Sequence, residues 1–121
     1  MKFLMLIRSS ESNREQPMSP EFMAALDAYM ARSFENGTLV DTGGLGPTKD
    51  GGRVRLSKGA LSVVDGPFTE AKEVIGGWAI VEAASYADAM RVAREFMGLH
   101  VEHLPWFEGE CEVRTIEFKA R

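Results

Sequence analysis

The chain has 121 residues, of which 45% are hydrophobic and 26% are charged, a composition typical of one globular domain rather than a disordered or fibrous protein. Its formal net charge of −4 argues against a nucleic-acid-binding surface, and no apolar run is long enough to cross a membrane. The single cysteine, Cys111, cannot form an internal disulfide, and no signal peptide is apparent, so we expect a cytoplasmic protein.

The first third of the chain predicts a strand, a helix and a second strand. Residues 2–8 are apolar on both faces, which indicates an interior strand. After a polar loop, Ser19 and Pro20 form a helix start, and one apolar stripe with helical spacing runs to the Asn36-Gly37 stop. Residues 38–42 then predict the second strand.

The middle of the chain predicts a hairpin insert. Residues 43–52 hold five glycines and one proline, which indicates a loop. Two short alternating segments follow, at residues 53–57 and 61–64, with a turn at residues 58–60 between them. The Asp-Gly-Pro run at residues 65–67 closes this insert of about residues 53–64.

The last third repeats the strand, helix and strand order. Residues 74–82 form a second strand that is apolar on both faces, and its paired glycines at 76 and 77 predict the close approach of a backbone or a ligand. Ser85 is the expected cap of a helix that ends at Gly98. Residues 111–118 predict the final strand.

This order predicts a single α+β domain over residues 1–121 with a ferredoxin-like β-α-β-(β-hairpin insert)-β-α-β fold. Such a fold has a four-stranded antiparallel sheet with both helices on one face. The first and third of its strands lie in the centre of the sheet, and they are the two segments here that are apolar on both faces.

The sheet face opposite the helices needs a cover. Leu4 and Leu6, or alternatively Phe3, Met5 and Ile7, would otherwise be exposed to water. A symmetric homodimer, with sheet facing sheet, is the expected solution. The alternative is that the hairpin insert folds over this face.

Residues 63–73, followed by Gly76-Gly77, resemble the DGPF subgroup of the YCII-related proteins. The opening residues 1–7 and the closing residues 112–114 are similar to the first and last strands of that family. The resemblance implies a dimeric α+β barrel with a small-molecule cleft between strands, insert and helices. The wider group includes a dehydrochlorinase that acts on a chlorinated hydroxyquinol and uses a His–Asp pair, and DGPF proteins are associated with extracytoplasmic-function sigma factors.

Two histidines are the first candidates for chemistry. His100 and His103 share one face if their segment is helical, and they could serve as general base and orienter, with Glu102 or Asp65 fixing a tautomer. Metal binding would need a further ligand such as Asp65 or Glu108. A purely structural role in a turn or in the dimer contact is the other interpretation.

Asp65 and Lys72 flank the DGPF string and allow two interpretations each. The Asp65 carboxylate either caps an Asx-turn or is aimed into the cleft as a catalytic orienter. Lys72 either forms a solvated pair with Glu73 or clamps an anionic ligand.

Arg114 and Trp106 are the remaining candidates for substrate binding. Arg114 lies on an apolar strand face, so we expect it to pair with Glu112 or Glu70, to bind an anionic group of a ligand, or to extend its guanidinium to water at the rim of the face. Trp106 is either a core or interface residue or a platform for a ligand.

The sequence supports two hypotheses for function. The first is cofactor-independent acid–base chemistry, such as elimination or isomerisation, with His100 or His103 as base, Asp65 as orienter and Arg114 as anion binder. The second is a non-catalytic module that senses a ligand or binds a protein such as a sigma factor. No Walker loop or dinucleotide fingerprint is present, and no cofactor is expected.

Overall fold

A computed structural model describes residues 1–117 and all of their side chains except that of Arg14. The predicted last strand included Phe118, which lies outside the described residues. The strands and helices in chain order are β1 (Lys2–Ser9), α1 (Pro20–Glu35), β2 (Leu39–Gly44), β3 (Gly52–Ser57), β4 (Ala60–Asp65), β5 (Val74–Glu82), α2 (Tyr86–His103) and β6 (Gly109–Thr115). Two short 3₁₀ turns lie at Asn13–Glu15 and Thr48–Asp50.

Four strands form one antiparallel sheet in the order β2-β5-β1-β6, while β3 and β4 pair only with each other. The predicted ferredoxin-like fold is confirmed, and β1 and β5 lie in its centre as expected. The hairpin insert is confirmed as well. Its turn consists of Lys58 and Gly59 alone, both at positive φ, because Ala60 already belongs to β4.

The core lies between one sheet face and the helices. Phe3 and Met5 of β1 and Val81 of β5 pack with Ala89 and Ala93 of α2. Alternation along the strands places Leu4, Leu6, Trp78 and Ile80 on the opposite face, where each is only partly buried. We call this second surface the open face.

Both helices begin as the sequence predicts. The Ser19 hydroxyl accepts a hydrogen bond from the Phe22 N–H at 3.1 Å, and the Ser85 hydroxyl accepts one from the Asp88 N–H at 3.2 Å. Helix α1 ends just before Gly37, which has a φ of 82°.

The predicted end of the second helix at Gly98 is wrong, because α2 continues through this glycine to His103. Gly98 is exposed, and a helical glycine costs only about 1 kcal/mol relative to alanine. The extra turn places His100 and the following Leu104 in the interior, at 7% and 2% exposure. Burial of these two side chains offsets the unfavourable glycine.

Candidate functional site

A cavity of about 410 Å³ lies between the helices and the inner face of the sheet. Its walls come from both helices and from β1, β2, β5 and β6, so it forms only in the complete fold. The residues that contribute main-chain or side-chain atoms to it are Met5, Ile7, Leu26, Tyr29, Met30, Ser33, Thr38, Leu39, Thr42, Gly43, Gly44, Gly77, Trp78, Ala79, Val81, Val92, Phe96 and Cys111.

Three hydroxyl groups of the cavity wall, those of Ser33, Thr42 and Tyr29, already donate hydrogen bonds within the protein. Ser33 Oγ donates to the Tyr29 carbonyl oxygen at 2.8 Å, and Thr42 Oγ1 donates to the Trp78 carbonyl oxygen at 2.8 Å. Tyr29 Oη lies 3.4 Å from the Val92 carbonyl oxygen and 3.5 Å from Glu95 Oε1. Their oxygen lone pairs remain able to accept a hydrogen bond from a ligand.

The two titratable groups of the wall are both held in their neutral forms. Burial raises the pKa of the Cys111 thiol to about 11, so this cysteine is a protonated thiol at neutral pH. Burial, and then the nearby Glu95 carboxylate, raises the pKa of Tyr29. The described cavity lining contains no carboxylate, imidazole, ammonium or guanidinium group.

His100 lies behind the cavity wall, in an aromatic cluster. The ring centres of Phe22, Phe96 and Phe107 lie 4.8, 5.1 and 4.5 Å from the centre of its imidazole ring. Phe96 is also part of the cavity wall. Its Nδ1 lies 3.3 Å from the Phe96 carbonyl oxygen. Burial lowers the pKa of His100, which favours a neutral ring that packs as an aromatic side chain.

His103 lies one turn further along α2, nearer the surface. Its Nε2 is 3.8 Å from Glu102 Oε2, and its carbonyl oxygen accepts a hydrogen bond from Ser19 Oγ at 3.2 Å. The helix therefore brings both histidines onto one side, as predicted. Trp106, on the turn after α2, is half-buried. Its ring meets the Phe107 ring edge-on, with 6.2 Å between the ring centres.

The structure does not join Asp65 to either histidine. Asp65 ends β4 in the hairpin, its side chain is exposed, and no hydrogen bond or ion pair within residues 1–117 involves its carboxylate. The expected Asx-turn is therefore absent. The turn is held by the Gly66 N–H, which donates to the Gly51 carbonyl oxygen at 2.9 Å.

The rest of the DGPF string anchors the base of the hairpin. The Arg53 guanidinium of β3 lies 3.7 Å from the centre of the Phe68 ring and 2.6 Å from Glu70 Oε1. The Phe68 N–H donates to Thr48 Oγ1 at 3.1 Å, and that hydroxyl also bonds the Glu11 carboxylate. Phe68 and Glu70 thus fix β3 through one arginine.

Arg114 and Lys72 lie at the surface, away from the cavity wall. Arg114 pairs with Glu112 at 3.2 Å, which confirms the ion pair expected from the sequence, and 70% of its side chain is exposed. Hydrogen bonds from Arg8 and then from Arg114 lower the pKa of Glu112. Lys72 is exposed, and no ion pair between Lys72 and Glu73 forms within the described range.

The six residues singled out from the sequence therefore lie in separate places. The two histidines and Trp106 surround the end of α2, Asp65 and Lys72 flank the hairpin base, and Arg114 lies on the open face. The family resemblance implied a small-molecule cleft, but none of these six residues lines the cavity, and sequence reasoning missed the residues that do. The one usable signal for the cavity was the paired glycines, because Gly77 lies in the cavity wall and an added Cβ there would sit 3.4 Å from the Gly43 carbonyl oxygen.

Neither a metal site nor a membrane span is found in the part of the chain that the structure describes. No three His, Cys, Asp or Glu side chains within residues 1–117 converge as metal ligands would. Neither of its two helices has the length and apolar character needed to cross a bilayer.

Comparison with known proteins places the chain in a family. The family model described as the YCII-related domain matches residues 1–96, a match that ends before His100. An uncharacterized protein of Rhizobium meliloti (strain 1021), R00369, is 36% identical over 94 residues, which cover 78% of this chain and 72% of that protein. The chain belongs to the YCII-related domain family.

Proposed function

We propose that this protein binds a small, mainly apolar molecule in the cavity between the sheet and the helices. The observation that carries the proposal is the cavity of about 410 Å³, which is within the usual size range of small-molecule sites. Most of its wall consists of aliphatic and aromatic side chains, and a few hydroxyl groups converge on it. Such a wall favours a ligand with an aromatic or aliphatic body.

The hydroxyl groups of the wall indicate which polar group the ligand carries. The Ser33 and Thr42 hydroxyl hydrogens point to main-chain carbonyl oxygens, so a ligand meets acceptors there. A ligand with one hydroxyl or N–H group can donate a hydrogen bond to one of these acceptors. A charged ligand would meet no opposite charge in the wall and would be disfavoured by desolvation.

Binding is favoured over acid–base catalysis because neither histidine lies in the cavity wall, and the two titratable groups of the wall, Tyr29 and Cys111, stay protonated at neutral pH since burial raises the pKa of each. General acid–base chemistry needs a group within hydrogen-bond reach of the substrate, and the candidate base His100 is separated from the cavity by Phe96. Catalysis with His100, His103 and Asp65 stays a prediction from the sequence. Membership of the DGPF subgroup, sigma-factor association and a cytoplasmic location also stay predictions.

A second copy of the chain is the proposed cover of the open face. Leu4, Leu6, Trp78 and Ile80 form a continuous apolar centre there, since Leu4 lies opposite Ile80 and Leu6 opposite Trp78. Helix α2 packs on the other face and both helices line the cavity on that side, so the helices of one chain do not shield this surface. Pairing of two such faces about a two-fold axis would give the homodimer expected from the sequence.

The ligand proposal is tested with 2-naphthol, a neutral aromatic molecule with one hydroxyl donor. Isothermal titration calorimetry should show saturable binding with a Kd below about 1 mM. Ala79→Leu adds side-chain volume at the sheet floor of the cavity and should weaken binding at least about tenfold. Ala24→Leu places the same side chain on the exposed surface of α1, outside the cavity wall, and is the matched control.

Two results would overturn the ligand proposal. One is the absence of saturable heat with the unaltered protein. The other is equal affinity in the Ala79→Leu and Ala24→Leu variants, which would place any binding outside the cavity. Far-ultraviolet circular dichroism of both variants verifies that each is folded.

A further inference from the structure

The hairpin of β3 and β4, residues 52–65, has one apolar and one polar face; we call it the arm. Val54 lies opposite Val63 and Leu56 opposite Leu61, so all four side chains share one face. Each of them is 71–73% exposed. Four aliphatic side chains in cross-strand pairs at this exposure form an unpartnered strip.

The body of the same chain holds the arm by its other face and its base. Arg53, on the face opposite the aliphatic strip, bonds Glu70 and stacks on Phe68, and Arg55 lies 3.9 Å from Glu70. The Gly66 N–H bonds the Gly51 carbonyl oxygen at the base. These contacts fix the direction of the arm and leave its aliphatic strip facing away from them.

A strip of this kind needs a cover. An isolated two-stranded hairpin is marginally stable in water, and contiguous exposed apolar patches on a soluble protein usually mark interaction sites. If the arm were simply solvated, polar residues would be expected on both of its faces. Instead Val54 and Leu56 on one strand, and Leu61 and Val63 on the other, place only aliphatic side chains on one face.

Charge favours a second copy of this chain as the cover. The arm contains Arg53, Arg55, Lys58 and Asp65 as its charged residues, a net +2. The remainder of the chain then carries −6, since the whole has a formal net charge of −4. Two of the three positive charges of the arm, Arg53 and Arg55, already face Glu70 of the same chain, so Lys58 at the tip is the positive charge that remains to attract the acidic body of a second copy.

The surface area that a stable dimer buries also favours a second copy of this chain, with the open face as part of the same interface. A stable interface buries roughly 800 Å² on each partner, more than four aliphatic side chains supply. The open face of the same chain provides additional apolar surface through Leu4, Leu6, Trp78 and Ile80. One two-fold axis would let both surfaces contribute to a single interface.

We propose that the arm is a dimerisation arm, whose strip of Val54, Leu56, Leu61 and Val63 docks on the body of a second copy, so that each arm covers the other chain. This extends the pairing of open faces proposed above to a second part of the interface. It does not depend on what the cavity binds.

The experiment measures the dimer dissociation constant by sedimentation equilibrium. The unaltered chain should sediment at twice its 13.4 kDa at micromolar concentration. The double variant Leu56→Lys, Leu61→Lys should raise the dissociation constant at least about 100-fold, because charged side chains replace apolar ones in the contact. The double variant Ser57→Lys, Ser62→Lys adds the same charge to the other face of the arm and should leave the constant within about threefold.

The lysine variants should fold, since all four altered positions are exposed in a single chain. A monomeric unaltered chain would overturn the proposal. A dimer that the Leu56→Lys, Leu61→Lys variant leaves intact would overturn it too, and would assign the dimer contact to the open face alone. Binding of 2-naphthol by the dissociated variant, measured in parallel, separates failure of the arm from failure of the cavity.

Discussion

The imidazoles of His100 and His103 in α2 differ in solvent exposure and in their neighbouring side chains. His100 has three phenylalanine rings around it and 7% of its surface exposed, so water cannot solvate a proton there. His103, three residues later, has a carboxylate at 3.8 Å and is partly solvated. A spacing that places two side chains on one helix face therefore does not give them one chemical environment.

The lowered pKa of His100 predicts a pH dependence of stability. The unfolded chain takes up a proton near pH 6.5, whereas the folded chain takes it up only at lower pH. Unfolded molecules thus hold more protons in this window, and the free energy of unfolding should fall as pH decreases from about 6.5. The slope attributable to one group is at most about 1.4 kcal/mol per pH unit.

Urea unfolding between pH 7.5 and 5 measures this effect. The His100→Phe variant keeps an aromatic ring in the cluster and removes the titrating group, so its free energy of unfolding should depend less on pH. His103→Gln removes the other imidazole and should keep the part of the slope that comes from His100. Equal slopes in the unaltered chain and in His100→Phe would contradict the assignment.

At the level of the elements, the base of the arm explains why an Asp-Gly-Pro run stands at residues 65–67. A Cβ added to Gly66 would overlap the Thr48 carbonyl oxygen and lie 3.1 Å from the Gly51 carbonyl oxygen. The two chain segments that enter and leave the arm approach each other here through main-chain atoms. The DGPF string therefore has a structural role: Gly66 lets the two segments approach, and Phe68 and the nearby Glu70 contact Arg53.

The Gly66→Ala variant should lower the free energy of unfolding by about 1–3 kcal/mol, because the added methyl group forces the two segments apart. Gly44→Ala is the matched control. A Cβ at Gly44 meets nothing within 4 Å, so this change should leave stability the same or raise it by up to about 1 kcal/mol. Thermal or urea unfolding of both variants makes the comparison, and a Gly66→Ala protein as stable as Gly44→Ala would show that the base of the arm tolerates a side chain.

For the whole molecule, local patterns predict the architecture but not the cavity. Two strands that are apolar on both faces indicate the sheet centre, and capping residues such as Ser19 indicate helix starts, because each pattern acts within a few neighbouring residues. Gly98 shows the limit of such patterns, since burial of His100 and Leu104 outweighs a local stop signal. The cavity depends on how six elements pack, and no short motif encodes it.

The open face and the arm belong to different elements, yet each leaves apolar side chains exposed in one chain, partly so on the open face and mostly so on the arm. Leu4 lies in the centre of the open face, between Ile80 of β5 and Arg114 of β6. Of the three, Arg114 is mostly exposed and paired with Glu112, so it forms part of a charged rim around an apolar centre. This combination of an apolar centre and a charged rim is typical of protein–protein interfaces.

Leu4→Lys therefore tests the pairing of two open faces. A lysine at this position would bury a charge in the dimer, beside the positive Arg114, but its long stem can reach water in the monomer. We expect the dimer dissociation constant to rise at least about 100-fold in sedimentation equilibrium, while circular dichroism stays that of a folded chain. Ala24→Lys, on the exposed surface of α1, adds the same charge away from this face and should leave the dimer intact. A Leu4→Lys protein that still sediments at twice the mass of one chain would show that the open face is not where the copies meet.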